Sequence, residues 1–350
     1  MSTTAVPDLV SVVVPCHNAR PFVAETLESV LAQSHPAVEA IVVDDASTDG
    51  SWEVVEGFAA RHPDRVRALR LERNRGGGYA RNRGAELARG AYLMFLDADD
   101  LITPDALAAL AAAAGQPGTL AAGRSHMLRQ RNDRGPWEPA ESSAPLPDAD
   151  PATALRQWLD GSAWVPTCAL LWRRDVYEAT GGWDEELARN QDGDIAMRAL
   201  AGGARIVRTD ERVGLYRMHG ASRVSVSRNF VAPGKLQSQI RVLDRLAALL
   251  RSQGRLPAFG RALGHAYHAV ALMGFQNGHD ELARRALAQG RALGGTRLVS
   301  ATAAGRALER VLGMERKERL AQWLARRGMR TAGRRTLAGL HARAAGETTP

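Results

Sequence analysis

The chain of 350 residues is 45% hydrophobic and 24% charged, a composition typical of soluble globular proteins with one large or two ordinary domains. It has no apolar run near the roughly 18 residues that predict a membrane-spanning helix, and residues 1–9 lack the regions of a signal peptide. Its two cysteines, Cys16 and Cys168, lie far apart and offer neither a disulfide framework nor zinc-binding spacing. We therefore expect a cytoplasmic protein.

The net charge of +8 is unevenly distributed along the chain. Residues 231–350 hold 21 Lys and Arg against 7 Asp and Glu, a balance of +14, whereas residues 1–230 have a balance of −6. A shift of this kind marks a domain boundary. We predict a first domain over residues 1–230 and a basic, Arg-rich helical region over residues 231–350.

Apolar runs and helical periodicities alternate through the first 115 residues. Fully apolar runs predict buried strands, and apolar residues every three or four positions predict helices. The predicted strands lie at residues 10–14, 41–43, 66–71 and from 92 onward. The predicted helices are one over about 21–33 with Asn18 as its cap, one with Val54, Val55 and Phe58 inward, one that ends at Gly90, and one that ends at Gly115. This alternation predicts an α/β fold with a doubly wound, mostly parallel sheet.

The pattern changes beyond residue 115. Residues 130–152 carry five prolines and many charges and resemble a surface excursion, and residues 167–172 predict a further strand. A helix is predicted to open at Asp192. Beyond residue 234 the chain is typical of amphipathic helices, with these apolar stripes: Leu236, Ile240, Leu243, Leu246 and Ala247, then Leu282, Ala286 and Leu287.

The apolar run that starts at Tyr92 ends in three carboxylates, Asp97, Asp99 and Asp100. Because unpaired anions are not buried beside a strand, we expect all three to emerge at its carboxyl end, where open α/β sheets have their ligand crevice. Asp97 and Asp99 are two positions apart, so their side chains point to one face of an extended chain. Such ligands suit Mg²⁺ or Mn²⁺ shared with substrate phosphates. The alternative is a solvated turn that caps a helix starting near Thr103.

Two other predicted strands also end in polar clusters, at residues 15–18 and 44–45. Since the carboxyl ends of parallel strands meet at one edge of a sheet, the three clusters predict a single crevice. The glycine-rich turn at residues 76–78 precedes a helix and is able to bring backbone N–H groups near a nucleotide. A plain flexible turn explains these glycines equally well.

Four segments carry a resemblance to a known family. They are Val-Ser-Val-Val-Val-Pro-Cys-His-Asn at 10–18, Val-Asp-Asp-Ala-Ser-Thr-Asp-Gly-Ser at 43–51, Asn74-x-Gly76 through Arg81-Asn82-x-Gly84, and Phe-Leu-Asp-Ala-Asp-Asp at 95–100. In this order and spacing they resemble the family-2 glycosyltransferases of the GT-A fold, over about residues 9–227. The resemblance implies transfer of a sugar from a nucleotide-sugar donor, with UDP-sugars favoured, to an acceptor hydroxyl. It also implies inversion at the anomeric carbon and use of Mg²⁺ or Mn²⁺.

Matched by position, the resemblance implies a nucleotide-sugar half at about residues 9–115 and an acceptor half at about 116–230. The expected nucleotide-sugar site consists of Pro15, Asn18, Asp45, Arg81, Asn82 and Asp97. In it Asp45 would face the base, and Arg81 and Asn82 would close the pocket. Asp97 would lie near the ribose or sugar, and Asp99 would hold the metal. A metal at the diphosphate stabilises the charge that develops on the leaving oxygen.

The acceptor hydroxyl must lose its proton, which requires a general base on the opposite face. In the family this base is the Asp of a Glu-Asp pair that opens a late helix and is followed by an Arg. Gln191 and Asp192 with Arg198 resemble that pattern, so Asp192 is the expected base, although Gln191 stands where the family more often has Glu. Asp192 could instead serve only the helix dipole. Before it, Trp183 and Asp184 lie in a loop expected to approach the acceptor sugar, and Gln191 is also expected to contact the acceptor.

The segment Tyr216-Arg217-Met218-His219 resembles one that closes the domain in relatives. There His219 would contact the metal or diphosphate; an ordinary surface histidine is the alternative. The Gln-x-x-Arg-Trp motif of processive synthases is absent from the sequence. We therefore expect one sugar to be transferred per encounter.

The expected acceptor is a carbohydrate or a lipid-linked molecule, as in cell-envelope polysaccharide synthesis, and no nucleic-acid partner is expected. The basic region either touches the inner face of an anionic membrane or solvates helices that pack on the catalytic domain. One rival class, the sugar-phosphate nucleotidylyltransferases, has an early Gly-x-Gly-Thr-Arg loop that this sequence lacks. Another is an inactive relative that binds nucleotide or a membrane surface, but retention of Asp97, Asp99 and Asp192 argues against inactivity.

Overall fold

The computed structural model describes residues 5–130, 135–142, 145–218, 232–295 and 303–326. Its described residues fall into two compact units. The first takes its members from residues 1–155, 163–186 and 191–225, and the second from 156–162, 187–190 and 226–350. The predicted boundary at residues 230–231 lies outside the described residues.

Strands and helices alternate in the first part of the chain, as predicted. They are β1 (Val6–Cys16), α1 (Val23–Leu31), β2 (Val38–Asp44), α2 (Ser51–Arg61), β3 (Val66–Arg70), α3 (Gly77–Leu87) and β4 (Gly90–Phe95). The four strands lie in the order β3-β2-β1-β4, and each neighbouring pair is parallel. Their carboxyl ends therefore lie at one edge of the sheet.

The second part of the sheet is mixed. Its elements are β5 (Leu101–Ile102), α4 (Ala106–Ala113), β6 (Thr119–Gln130), β7 (Trp137–Ser142), α5 (Pro151–Asp160), β8 (Leu170–Arg173), α6 (Arg174–Thr180), α7 (Gln191–Ala201) and β9 (Arg205–Met218). The sheet continues from β4 as β8-β6-β9-β5, with β7 paired to β6. Of these pairs only β6 with β9 is parallel. The α/β fold class is confirmed, with its parallel strands concentrated in the first part.

Close packing of α3 against the central strands explains one glycine of the sequence motif. Val13 on β1 and Val43 on β2 are fully buried because helices cover both faces of a parallel sheet. A Cβ atom at Gly84 would overlap the side chain of Val13. Only glycine at this position lets α3, which carries Arg81 and Asn82, lie so close to the sheet.

Four helices make up most of the described part of the second unit: α8 (Pro233–Ser252), α9 (Leu256–Gln276), α10 (Asp280–Ala292) and α11 (Ala303–Arg326). The predicted apolar stripe of α8 is confirmed, since Leu236, Ile240 and Leu243 are at most 6% exposed. Within the described ranges, no helix is both long and apolar enough to cross a membrane.

Three details differ from the sequence-based expectations. Asn18 does not cap α1, which starts at Val23; its side-chain oxygen instead accepts the Thr48 N–H at 2.9 Å. The predicted surface excursion contains β7, which pairs with β6 alone among the described strands and accommodates proline as an edge strand does. The long strand β9 was not predicted, because its mixed charges hide the alternation of a half-buried strand.

Candidate active site

The carboxylates after β4 alternate between two faces. Asp97 and Asp99 are half-buried, whereas Ala98 is 5% exposed and Asp100 is 1% exposed. The spacing of two therefore places Asp97 and Asp99 on the accessible face, as expected for an extended chain. These two residues are accessible oxygen donors at this edge of the sheet.

Asp100 corrects the expectation that all three carboxylates emerge into solvent. Its Oδ1 accepts the backbone N–H of Arg217 at 2.8 Å, and within the described residues its buried Oδ2 has no hydrogen-bond partner. Burial raises the pKa of Asp100 well above its usual value, and the charges of Asp99 and Asp97 raise it further. Asp100 is thus part of the protein interior rather than of the ligand-facing surface.

Two side chains hold the turn that carries these carboxylates. The hydroxyl of Thr26 on α1 donates toward the carbonyl oxygens of Ala98 and Asp100, each at 2.9 Å. Arg217 on β9 donates from Nη1 to the carbonyl oxygen of Asp99 at 3.1 Å. Sequence reasoning assigned no role to either residue, because their partners are backbone atoms distant along the chain.

Asp45 fastens the glycine-rich turn to the end of β2. The residue is 3% exposed, and its two carboxylate oxygens accept the N–H groups of Arg75 at 2.6 Å and Gly76 at 2.7 Å. An ionised oxygen accepts more than one hydrogen bond, so these contacts leave lone pairs for a ligand. A cleft of about 440 Å³ has its first lining residue directly after Asp45 in the sequence. It is lined by Ala46, Ser47, Thr48, Arg70, Leu71 and Glu72.

The end of β1 joins the same cluster. Pro15 is half-buried in β1, and His17 Nδ1 lies 2.7 Å from the Asp45 carbonyl oxygen. Asn18 has a left-handed backbone φ of 50°. Its side-chain oxygen accepts the N–H of Thr48, which lies in the segment after β2. The structure therefore brings Pro15, Asn18 and Asp45 together at neighbouring strand ends.

Arg81 connects the strand ends to the head of α7. Its Nη2 donates to Asp97 Oδ1 at 2.6 Å, and its Nη1 donates to Gln191 Oε1 at 3.0 Å. Burial opposes the charge of this guanidinium, but the carboxylates of Asp97 and Asp192 raise its pKa above the usual arginine value. Arg81 is therefore a fixed positive charge between the two groups of carboxylates.

The side chain of Asn82 holds the loop before α7. Its Oδ1 accepts the Trp183 N–H at 2.9 Å and the Tyr177 hydroxyl at 3.1 Å. Its Nδ2 donates to the Trp183 carbonyl oxygen at 3.0 Å and to Glu185 Oε1 at 2.8 Å. The side-chain amide thus has a partner for each of its hydrogen-bonding groups within the protein.

Trp183 was expected to offer an aromatic face to a sugar, but its ring is buried. The residue is 4% exposed, its ring meets Phe95 edge-on at 5.1 Å, and the Arg81 guanidinium lies 4.6 Å from its centroid. Asp184 is 8% exposed, and its Oδ1 accepts the Glu186 N–H at 3.0 Å. Both residues therefore shape the loop from within.

Asp192 is the second residue of α7 and lies at the solvent-exposed head of the helix. Partial desolvation of the carboxyl by neighbouring protein raises its pKa above the usual aspartate value. The charge of Arg81 opposes that shift, and the charge of Asp97 adds to it. A reachable carboxylate with a raised pKa is suited to accept a proton.

A buried ion pair behind Asp192 fixes the same loop. Arg198 donates to Asp194 Oδ2 at 2.9 and 2.6 Å, and both side chains are at most 5% exposed. The guanidinium also donates to the carbonyl oxygens of Thr180 at 2.5 Å and Gly182 at 2.8 Å. The sequence motif included Arg198, but its contact with the loop was not foreseen.

Of the two expected metal ligands, Asp99 lies just after β4, whereas His219 lies outside the described residues. Among residues that the structure describes, no three His, Cys, Asp or Glu side chains form a metal-holding cluster. Asp97 and Asp99 nevertheless fit Mg²⁺ or Mn²⁺, because such ions are commonly held by one or two carboxylates, with phosphate oxygens and water completing the shell. The donor set therefore fits a metal that arrives with a diphosphate.

Residues 11–180, which include the strand-end clusters, match the family described as glycosyl transferase family 2. Nearly half of the chain therefore matches glycosyl transferase family 2, and the relatives that align with it are described as glycosyltransferases. The expectation drawn from the four sequence motifs is confirmed at this level.

Curated relatives align with parts of the chain. TuaG of Bacillus subtilis, described as a candidate teichuronic acid biosynthesis glycosyltransferase, is 44% identical over 99 residues, or 28% of this chain and 39% of TuaG. EpsJ of Bacillus subtilis, an uncharacterized glycosyltransferase, is 30% identical over 212 residues, or 60% of this chain and 61% of EpsJ. The chain thus spans less than two thirds of either relative.

A solved structure shares the fold. S. aureus TarS 1–349 in complex with UDP-GlcNAc is similar with a TM-score of 0.63 at 20% identity, and the match covers 92% of each chain. At this identity the likeness establishes the GT-A fold alone.

Proposed function

We propose that the chain is an inverting, non-processive glycosyltransferase that moves a sugar from a nucleotide-diphosphate sugar to an acceptor hydroxyl with the help of a divalent metal. The observation that carries the proposal is the bridge by Arg81 between Asp97 at the end of β4 and Gln191 at the head of α7. This bridge brings the donor-side carboxylates Asp97 and Asp99 into one site with Asp192.

On the donor side, Asp99 would hold Mg²⁺ or Mn²⁺ together with the diphosphate, and Asp97 would support it. The metal would neutralise negative charge on the leaving nucleoside diphosphate. Asp97 also keeps Arg81 in place through its 2.6 Å ion pair. The strand ends around Asp45 would receive the nucleoside, with the adjoining cleft available for the base.

On the acceptor side, Asp192 would take the proton from the attacking hydroxyl as the new glycosidic bond forms and the bond to the diphosphate oxygen breaks. A raised pKa makes this carboxylate a stronger base than an ordinary aspartate. Gln191 gives Arg81 a neutral partner, so no second acidic side chain at position 191 competes for that proton. A single in-line displacement of this kind inverts the anomeric configuration.

The metal and the donor base are tested together by a thermal-shift panel. UDP, GDP, ADP and CDP are each added with and without Mn²⁺, because a ligand of the folded state raises the unfolding temperature by mass action. We expect UDP with Mn²⁺ to give the largest shift. A larger shift with another nucleoside diphosphate would overturn the donor preference, and equal shifts with and without Mn²⁺ would overturn the metal.

For the acceptor, we propose a carbohydrate or lipid-linked molecule of the cell envelope, which the name of TuaG supports. Contact with the inner face of a membrane is supported by α11, where Val311 is 82% exposed and Trp323 is 48% exposed among arginines. Exposed apolar and aromatic groups beside basic ones suit an anionic bilayer surface. Flotation with anionic liposomes at low and high salt tests this contact, and a lack of salt-sensitive binding would contradict it.

The second candidate is an inactive relative that binds nucleotide or a membrane surface, favoured by the balance of +14 in residues 231–350. This candidate predicts that nucleotide binds without any release of nucleoside diphosphate from a donor. The arrangement of Asp97, Asp99 and Asp192 around Arg81 favours catalysis instead, because binding alone does not require a carboxylate with a raised pKa at the helix head.

A further inference from the structure

Arg217 lies near the end of β9, and only 2% of its side chain is exposed. A guanidinium stays charged at every accessible pH, so its burial requires partners that compensate the charge and use its donors. Nη2 forms an ion pair with Glu25 of α1. This contact links the end of β9 to a helix on the other side of the carboxylate turn.

Aromatic rings complete the enclosure. The guanidinium carbon lies 5.3 Å from the centroid of Phe22 and 5.5 Å from that of Trp137. The two rings meet edge-to-face at a centroid distance of 6.3 Å. A planar guanidinium stacks on such rings and is attracted by their faces, whereas a lysine ammonium lacks the planar fork. The site is thus built for arginine.

Arg217 also forms hydrogen bonds with the turn that carries Asp99. The Arg217 N–H donates to Asp100 Oδ1 at 2.8 Å, and its Nη1 donates to the Asp99 carbonyl oxygen at 3.1 Å. These bonds fix the backbone on the C-terminal side of the Asp99 Cα atom. They therefore restrict the direction in which the Asp99 carboxylate projects.

We propose that Arg217 is a positioning residue that orients Asp99 for the metal-bound diphosphate. This inference rests on the proposed function, in which Asp99 holds the metal. It adds Arg217 as the residue that orients the Asp99 carboxylate. It also gives β7 a role, because Trp137 of that strand forms one wall of the Arg217 enclosure. Removing partners that orient a metal ligand typically lowers metal affinity or activity 10- to 100-fold.

Isothermal titration calorimetry of UDP with and without Mn²⁺ tests the proposal without any catalytic turnover. The measured quantity is the metal enhancement, defined as the ratio of the UDP dissociation constants without and with Mn²⁺. In Arg217→Met we expect this enhancement to fall by about 10- to 100-fold, while UDP binding without metal stays near that of the parent. Arg217→Lys, which keeps the charge but loses the fork, should lose part of the enhancement.

Arg174→Met is the matched control. Arg174 is also largely buried and donates to two carbonyl oxygens, those of Gly90 at 2.8 Å and Ala88 at 2.9 Å. Those bonds lie at the amino end of β4, opposite the carboxylates. The control should lower the unfolding temperature but leave the metal enhancement unchanged.

The possible results distinguish failure of the proposed metal role from failure of the Arg217 inference. A parent protein without metal enhancement would contradict the proposed metal role and the inference together. A parent with enhancement that Asp99→Asn abolishes, but that both Arg217 variants retain, would overturn the inference alone. Should Arg217→Met not fold, the Arg217→Lys variant decides, and full enhancement in that variant would likewise overturn it.

Discussion

The guanidinium of Arg81 lies 2.6 Å from the carboxylate of Asp97, which ties α3 to the end of β4. One oxygen of Asp97 is therefore already engaged by a buried cation. Its neighbour on the same face, Asp99, lies two residues further on and is half-buried. The ion pair thus gives Asp97 the role of holding Arg81, and in the proposed function the metal contact belongs to Asp99.

Asp99→Asn should abolish the Mn²⁺ enhancement of UDP binding in calorimetry while the fold survives. The reason is that an amide is a much weaker metal ligand than a carboxylate, and a half-buried residue contributes little to the core. Asp105→Asn is the control, since Asp105 is exposed and nearby and its side chain makes no cap hydrogen bond to α4. Parent-like enhancement in Asp99→Asn would refute the assignment.

Asp192→Asn should lower the transfer rate by about 10²- to 10⁴-fold, the usual contribution of a general base. The amide keeps the shape of the side chain but accepts no proton. Donor and metal binding should barely change, because those contacts belong to the strand ends. Steady-state kinetics with separate UDP calorimetry measure both quantities. If transfer persists at the parent rate, Asp184 or Glu185 becomes the candidate base.

The pH dependence of kcat/KM should show an acid limb above the ordinary aspartate range near pH 3.9. Asp192 acts only when deprotonated, and partial desolvation raises its pKa, so activity is lost at a higher pH than a fully solvated aspartate would require. The limb should be followed with a saturating metal concentration at each pH. A limb at the ordinary aspartate value would show that desolvation does not raise the pKa of Asp192.

Asp194→Ala should lower the free energy of unfolding by about 3–5 kcal/mol, because it leaves the Arg198 guanidinium buried without its anion. Urea denaturation measures the loss. The control is Asp210→Ala, whose pair with Arg124 has side chains 93% and 61% exposed, so its removal should have little effect. Equal losses in the two variants would show that burial of the Asp194 pair does not matter.

The sequence predicted the parallel half of the sheet well, because buried parallel strands are uniform apolar runs. It also predicted that Asp97 and Asp99 share a face, which the alternating burial confirms. It did not predict the hairpin of β6 and β7 or the strand β9, since their prolines and mixed charges are typical of loops. β9 is stabilised by pairing with the distant strand β6 and β7 by its hairpin with β6, and neither pairing leaves a periodic signal in the sequence.

Within the site, residue types were easier to predict than their contacts. The expected site roles of Asn82 and Trp183 stay predictions; the structure shows that the Asn82 amide hydrogen-bonds the loop before α7 and that the Trp183 ring is buried. Asp100 was expected in solvent and is buried instead. Arg217 gave no motif signal of its own, because its partners are a backbone carbonyl, a distant carboxylate and two rings.

The most direct test of the account is release of UDP from UDP-sugars in the presence of Mn²⁺, measured with the parent and with Asp99→Asn. The account predicts that the parent releases UDP slowly to water in a metal-dependent reaction, that Asp99→Asn loses this release, and that Asp105→Asn retains it. Metal-dependent UDP binding without release from any nucleotide sugar would contradict catalysis and favour the binding-module alternative. Unchanged release by Asp99→Asn would contradict the site itself.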